Sequence, residues 1–179
     1  MKTLLTASLA TLALTVGTSA SAMTGSDTIT KQDVIDAQTT WGNGIVAIST
    51  VHAEGGDYKK RAKKHIKKLY AYEETDVMFK PTLAAEDQFR ETFDEALDYF
   101  IGREGSEDSG FAIKGWTNVR FESDGIYTDE DSAMAMGNYF FKGPDGKETK
   151  VEYTFGYVLD DSGALKINLH HSSLPYSAE

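Results

Sequence analysis

The order of apolar and polar positions divides the chain into a helical first half and an extended second half. Val34, Ala37, Trp41, Ile45 and Ile48 recur at steps of three and four, which places them on one helix face. Thr30 stands three residues before Asp33, a capping-box arrangement that starts this helix. Gly42 and Gly44 weaken the helix or let another element approach it closely. After Gly55-Gly56, a second stripe runs through Tyr58, Ala62, Ile66, Leu69 and Tyr70. Val77 to Lys80 reads as a short strand stopped by Pro81. A third helix is predicted to start after Thr82, with the stripe Ala85, Phe89, Phe93, Ala96, Leu97 and Phe100. Gly102 ends it, and Arg103 to Gly110 is a polar loop.

From Thr117 onward the period changes to two. Val119 and Phe121 alternate with Asn118, Arg120 and Glu122. Ala133 to Lys142 is a long strand, and Gly143-Pro144-Asp145-Gly146 is a hairpin turn. Lys150 to Leu159 returns, with Tyr153, Phe155 and Tyr157 on one face. Asp160-Asp161-Ser162-Gly163 turns the chain again, and Leu165 to Ser173 is the last strand. Helices first and antiparallel strands last predict an α+β domain with helices packed on one face of a sheet. Gly137 and Gly156 lie inside long strands and allow a strong bend. A bent sheet over helices makes a cone with a pocket inside.

The N-terminus changes this picture by removing a segment from the fold. Lys2 is followed by an apolar run from Leu4 to Val16, then Gly17 and Ala20-Ser21-Ala22. A positive start, a short apolar middle and a small-x-small site read as a secretory signal, residues 1–22, with cleavage before Met23. The expected mature protein is a single domain, 23–179, periplasmic or secreted. The apolar run is too short and too Thr-rich to span a bilayer, so no membrane attachment is expected after cleavage. The chain of 179 residues carries 18 basic and 28 acidic side chains, and loss of Lys2 takes its net charge from −10 to −11. Such a field repels phosphates, which argues against nucleic acid as a partner. The absence of cysteine excludes disulfides and thiolate metal sites.

Candidate chemistry is sparse. The four histidines are His52, His65, His170 and His171. His170 and His171 are neighbours on a strand and leave on opposite faces, and His65 is flanked by lysines that repel a cation. A histidine zinc site is therefore not expected. There is no Gly-x-Ser-x-Gly elbow and no phosphate-cradling glycine loop. Lys59, Lys60, Arg61, Lys63, Lys64, Lys67 and Lys68 give the second helix a basic face, read as a solvated face or as a docking surface for an acidic partner. The least ordinary stretch is Ile167-Asn168-Leu169-His170-His171-Ser172-Ser173-Leu174-Pro175-Tyr176. On alternation His171 and Ser173 share one face, and His170 and Ser172 the other.

The chain resembles the iota-class carbonic anhydrases, a family with kinship to the association domain of calmodulin-dependent kinase. The resemblance rests on Phe79-Lys80-Pro81-Thr82, Leu97-Asp98-Tyr99-Phe100, Ala135-Met136-Gly137-Asn138-Tyr139-Phe140-Phe141, Val151-Glu152-Tyr153-Thr154-Phe155-Gly156-Tyr157 and above all His170-His171-Ser172-Ser173. It implies a nuclear-transport-factor-2-like cone and a homodimer. It also implies reversible hydration of carbon dioxide to bicarbonate without a cofactor, manganese or zinc being the alternative. Its implied catalytic residues are Thr82, Tyr99 and Ser173, with His171 and Ser172 binding substrate; Ser172 and Ser173 compete for the serine role. Thr82 is also placed to cap the third helix, whose N-terminus would favour an anion. At the usual rise Tyr99 lies about 25 Å from Thr82 along such a helix, so the trio needs a loop before a helix starting near Glu86. The same fold serves non-catalytic small-ligand-binding or oligomerisation domains, the other reading of the sequence. An isomerase of this fold would need a pocket Asp or Glu as base, and none can be placed.

Overall fold

The computed structural model describes residues 28–178. The proposed signal peptide and its cleavage site lie outside the described residues. Helix α1 spans Lys31–Ala53, α2 spans Tyr58–Leu69 and α3 spans Phe93–Ile101. The strands are β1 Met78–Lys80, β2 Asn118–Thr128, β3 Ser132–Lys142, β4 Glu148–Leu159 and β5 Leu165–Ser173. A 3₁₀ turn at Phe111–Ile113 lies between α3 and β2. Among the described residues no helix is long and apolar enough to cross a membrane.

The capping box that starts α1 is formed. The Asp33 N–H donates to the Thr30 hydroxyl at 3.2 Å, and the Asp33 carboxylate accepts from the Thr30 N–H at 2.8 Å. The third helix starts later than its aromatic stripe predicts. Its N-cap is Thr92, in a capping box with Glu95, and Thr82 caps nothing. Residues 81–92 need no helix because other groups satisfy their backbone. The Glu107 carboxylate accepts the N–H groups of Ala85, Glu86 and Asp87 at 2.7, 3.1 and 3.0 Å. The Arg90 N–H donates to the Phe79 carbonyl at 2.8 Å. Phe89 consequently lies half outside the protein.

The sheet runs in the order β1-β5-β4-β3-β2 and curls without closing. Strands β2 to β5 are antiparallel, as the pattern predicts, whereas the short β1 joins β5 in parallel. Two bulges bend it, at Asp124 opposite Gly137 and at Asn168 opposite Gly156. A Cβ on Gly156 would sit 2.9 Å from the Leu169 Cβ, so a glycine is needed where the bulged strand crosses it.

Helices α1 and α2 cover the inner face of the sheet, and α3 packs beside α2. Trp41, from α1, occupies its centre and is 1 % exposed. The rings of His65, Phe121, Tyr139, Phe141, Phe155 and His170 surround it at centroid distances of 5.5–6.2 Å, mostly edge-on or tilted. Two imidazoles thus belong to the core. Desolvation, reinforced by Arg61 and Lys68, lowers the His65 pKa to about 3. Desolvation, then the charges of His171 and His65, hold His170 well below its ordinary value. Both rings are neutral. The side chain of His65 reaches the core because Gly44 leaves room; a Cβ there would lie 2.1 Å from the His65 Nδ1.

Gly44→Ala should therefore force α1 and α2 apart and cost about 1–3 kcal/mol, the usual penalty of overpacking. The urea midpoint should fall at unchanged m-value; an unchanged midpoint would show that the helices do not meet at this contact. Acid should weaken the fold before carboxylates titrate. Each imidazole binds its proton more readily when unfolded, so its stabilisation is complete above pH 6.5 and declines as pH falls towards the depressed folded value. The limiting slope is about 1.4 kcal/mol per pH unit per ring. Urea midpoints measured between about pH 7 and pH 5 test this; a flat profile would mean that the rings are not buried in neutral form.

Candidate active site

The site is built where β1, β5, β3 and α3 meet on the inner face. Counting alternation from the buried Ile167 would turn His171 and Ser173 inward. The bulge at Asn168 reverses that parity: Tyr157 pairs with Ile167, and Gly156 pairs with Leu169. His170 and Ser172 therefore point inward, 2 % and 3 % exposed. His171 is exposed, and the Ser173 hydroxyl donates to the Glu152 carboxylate at 3.1 Å on the outer side of the sheet. Thr82, Tyr99 and Ser173 are thus not gathered in one place. Two of them are, with Ser172 where Ser173 was expected.

Register fixes the neighbours of the inward pair. Phe79 pairs with His170, and their rings stack at 4.6 Å. Two residues on, Pro81 stops β1, because it lacks the N–H to continue the ladder. The chain then turns and brings Thr82 to the end of the inner face. The Lys80 ammonium donates to the Ser172 carbonyl at 3.3 Å and ties this end of β5 to β1.

Tyr139 reaches the same place from β3. Ala133, Ala135, Tyr139 and Phe141 all face inward, so the alternation of β3 alone carries Tyr139 to the core. Burial pushes its pKa up, and hydrogen bonding from the Ser172 and Thr82 side chains pulls it partly back. Tyr99 comes from the last turn of α3 and packs between Phe79 and Phe111, at 5.7 and 5.6 Å. Burial raises its pKa, the nearby Tyr139 raises it further, and the nearby Leu83 backbone opposes the rise. The structure therefore joins Thr82, Tyr99, Tyr139 and Ser172. Thr82 alone of the four is half-exposed. Tyr139 went unassigned in the sequence, although β3 alternation could have placed it inward.

The segment holding Thr82 and Leu83 is anchored behind the site. Arg90 is 2 % exposed and pairs with Asp108 at 2.6 Å. Its guanidinium also donates to the carbonyls of Asp87 and Phe89 at 2.6 and 3.0 Å. The Tyr72 hydroxyl donates to the Arg90 carbonyl at 2.8 Å. With the Glu107 clamp, these contacts fix the loop without regular structure. Sequence reading missed the Arg90–Asp108, Tyr72–Arg90 and Glu107 contacts because each links residues 18 or more apart through irregular backbone.

Chemically the cluster offers neutral hydroxyls. A protonated phenol or alcohol can donate one hydrogen bond and accept another. Such a set can hold a water molecule by one lone pair and present donors to a developing anion. Among the described residues no group of three or more His, Asp or Glu side chains is arranged to hold a metal ion.

Comparison with known proteins gives the same picture. A metal-independent carbonic anhydrase of Nostoc is 41 % identical over 153 residues, 83 % of this chain and 75 % of its own length. The crystal structure of a cyanobacterial iota-carbonic anhydrase in complex with bicarbonate superposes with a TM-score of 0.81. It shares 39 % identity and covers 84 % of this chain and 95 % of that one. A nuclear transport factor 2-like protein of Salmonella enterica serovar Typhimurium shares only 12 % identity. It has a TM-score of 0.51 over 83 % of this chain and 92 % of its own, a likeness of fold alone. Residues 32–174 match the family described as metal-independent carbonic anhydrase, and the chain belongs to that family.

Proposed function

We propose that this protein catalyses the reversible hydration of carbon dioxide to bicarbonate, using water held by hydroxyl groups and no metal cofactor. The observation that carries this reading is the convergence of Thr82, Tyr99, Tyr139 and Ser172, with Thr82 and Ser172 close enough to the Tyr139 hydroxyl to act on its proton. The bicarbonate complex of a relative 39 % identical supports it. Hydration adds a water oxygen to the carbon of carbon dioxide; one proton leaves and a negative charge spreads over the new bicarbonate. The hydroxyls orient the water, which removes rotational freedom from the encounter. Donors fixed in a water-poor site then stabilise the forming oxygen charge more than bulk water would. The departing proton passes to solvent at the Thr82 edge, where the site opens. Ser172 takes the role first expected of Ser173, and His171 lies outside the cluster.

Two further features belong to the reading. The expected signal at residues 1–22 supports export to the periplasm or the medium. The outer sheet face carries Met134 and Met136, each more than half exposed, and Phe140 beneath the Arg120 guanidinium at 3.7 Å. An apolar strip of this kind suits a second copy of the chain.

Carbon dioxide hydration by stopped flow tests the site. Tyr139→Phe and Ser172→Ala should each lower kcat/KM about 100-fold, the scale of a lost oxyanion donor, while Ser173→Ala should stay within about twofold of wild type. Near-UV circular dichroism verifies folding, and full activity in both inner variants would refute the hydroxyl mechanism. Native mass spectrometry of protein recovered from the periplasm or medium checks the rest. The chain should begin at Met23 and have twice the monomer mass; retained Met1 would refute cleavage, and a monomer at micromolar concentration would refute the dimer.

A further inference from the structure

A buried chain of hydrogen bonds leads from the centre of the core to Tyr139, and its direction is fixed at one end. The Trp41 indole N–H donates to the Tyr70 hydroxyl oxygen at 3.0 Å. An indole nitrogen can only donate, so this bond runs one way. The Tyr70 hydroxyl lies 2.8 Å from the His170 Nδ1. Having accepted from Trp41, the Tyr70 oxygen turns its own proton to that nitrogen. A nitrogen that accepts carries no proton, and a neutral imidazole must then hold its proton on Nε2. Nε2 stands 3.4 Å from the Tyr139 hydroxyl, at the outer edge of hydrogen-bonding distance. The remaining neighbours of that hydroxyl are Thr82 and Ser172.

We infer that His170 is a positioning residue, held as the Nε2–H tautomer by Trp41 and Tyr70, so that Tyr139 accepts from it and aims its own proton into the hydroxyl cluster. The opposite tautomer would set the Nδ1–H against the Tyr70 proton. One of two buried donors would then lack an acceptor. The packing fixes the plane of the ring, and a half-turn within it would set carbons against the Tyr70 and Tyr139 hydroxyls. The ring stacks on Phe79 at 4.6 Å and meets Phe155 edge-on at 4.2 Å, and Trp41, Tyr70 and Tyr139 are each 1–2 % exposed. Tyr139 thereby becomes a committed donor towards the bicarbonate side. This inference rests on the hydroxyl mechanism proposed above.

Long-range proton–nitrogen correlation on ¹⁵N-labelled protein reads the tautomer directly. Wild-type His170 should show an unprotonated Nδ1 and a protonated Nε2; the reverse would overturn the inference whether or not any variant folds. Tyr70→Phe keeps the ring and deletes the hydroxyl. Its His170 nitrogens should shift towards exchange between tautomers, and kcat should fall about tenfold with KM changed less than about twofold. His170→Gln places an N–H near the Nε2 position and should recover more kcat than His170→Leu. Full kcat in folded Tyr70→Phe, or equal kcat in the two His170 variants, would remove the relay. Tyr139→Phe separates the two ideas. If it loses activity while Tyr70→Phe does not, the hydroxyl mechanism stands and the relay fails. If Tyr139→Phe is itself fully active, the relay fails, and if Ser172→Ala is fully active too, the hydroxyl mechanism fails with it.

Discussion

The Trp41 indole N–H lies where water does not reach, and it must find an acceptor inside a wall of aromatic rings. Tyr70 supplies it, and that one bond governs how the elements meet. Tyr70 is the residue that ends α2, with an extended backbone and a bridge to Ile167 of β5. The following Ala71 N–H donates to the Ile167 carbonyl at 2.9 Å. The end of α2 is thereby docked to the last strand at the height where its phenol can span from α1 to His170. Shifting β5 by one residue would put His171 in place of His170 and leave the Tyr70 proton unmatched. The bulge at Asn168 is what sets that register.

A second polar cluster on the same inner face shows why the two ends of the sheet differ. Gln38 donates to the Tyr153 hydroxyl at 3.0 Å, Tyr153 can donate to Ser123 at 2.7 Å, and Ser123 donates back to the Gln38 carbonyl at 3.2 Å. Each member gives one bond to the next and takes one, so this ring closes on itself. The chain beginning at Trp41 cannot close, because its first member never accepts. A surplus donor has to emerge at its far end, beside Thr82 and Ser172. The closed ring is structural, whereas the open chain delivers an unspent O–H to the place where an anion would form.

Much of this was legible before any coordinates. The period change near Thr117, the hairpin turns and the Thr30–Asp33 cap follow from local chemistry, and each formed as predicted. The third helix misled because Phe89 continues the spacing of Phe93 and Phe100. Periodicity cannot show that Glu107 has already taken the amide protons of residues 85–87. The Thr92-x-x-Glu95 box was an equally local signal and marks the true start. Alternation paired His170 with Ser172, and His171 with Ser173, but could not decide which pair faces inward. That choice depends on a bulge opposite Gly156, a contact between strands. The family resemblance pointed to the His170-His171-Ser172-Ser173 motif, and within it a one-residue step separates the inward Ser172 from the outward Ser173.

Burial also decides the kind of chemistry available. Desolvation raises the pKa of Tyr99 and Tyr139 and lowers that of His170, so all three are driven towards their neutral forms. Arg90 and Asp108 neutralise each other at 2.6 Å behind Tyr99, and the Lys80 ammonium is turned to the Ser172 carbonyl at 3.3 Å. The proposed cluster of neutral hydroxyls would admit carbon dioxide, which is apolar, at little desolvation cost. The negative charge that develops on hydration is then the one charge in the cluster, and it meets hydroxyl dipoles already turned towards it. Because those dipoles are neutral, they hold bicarbonate less strongly than a fixed cation would. A reaction that must run in both directions needs that moderation, since a product bound too tightly would limit turnover.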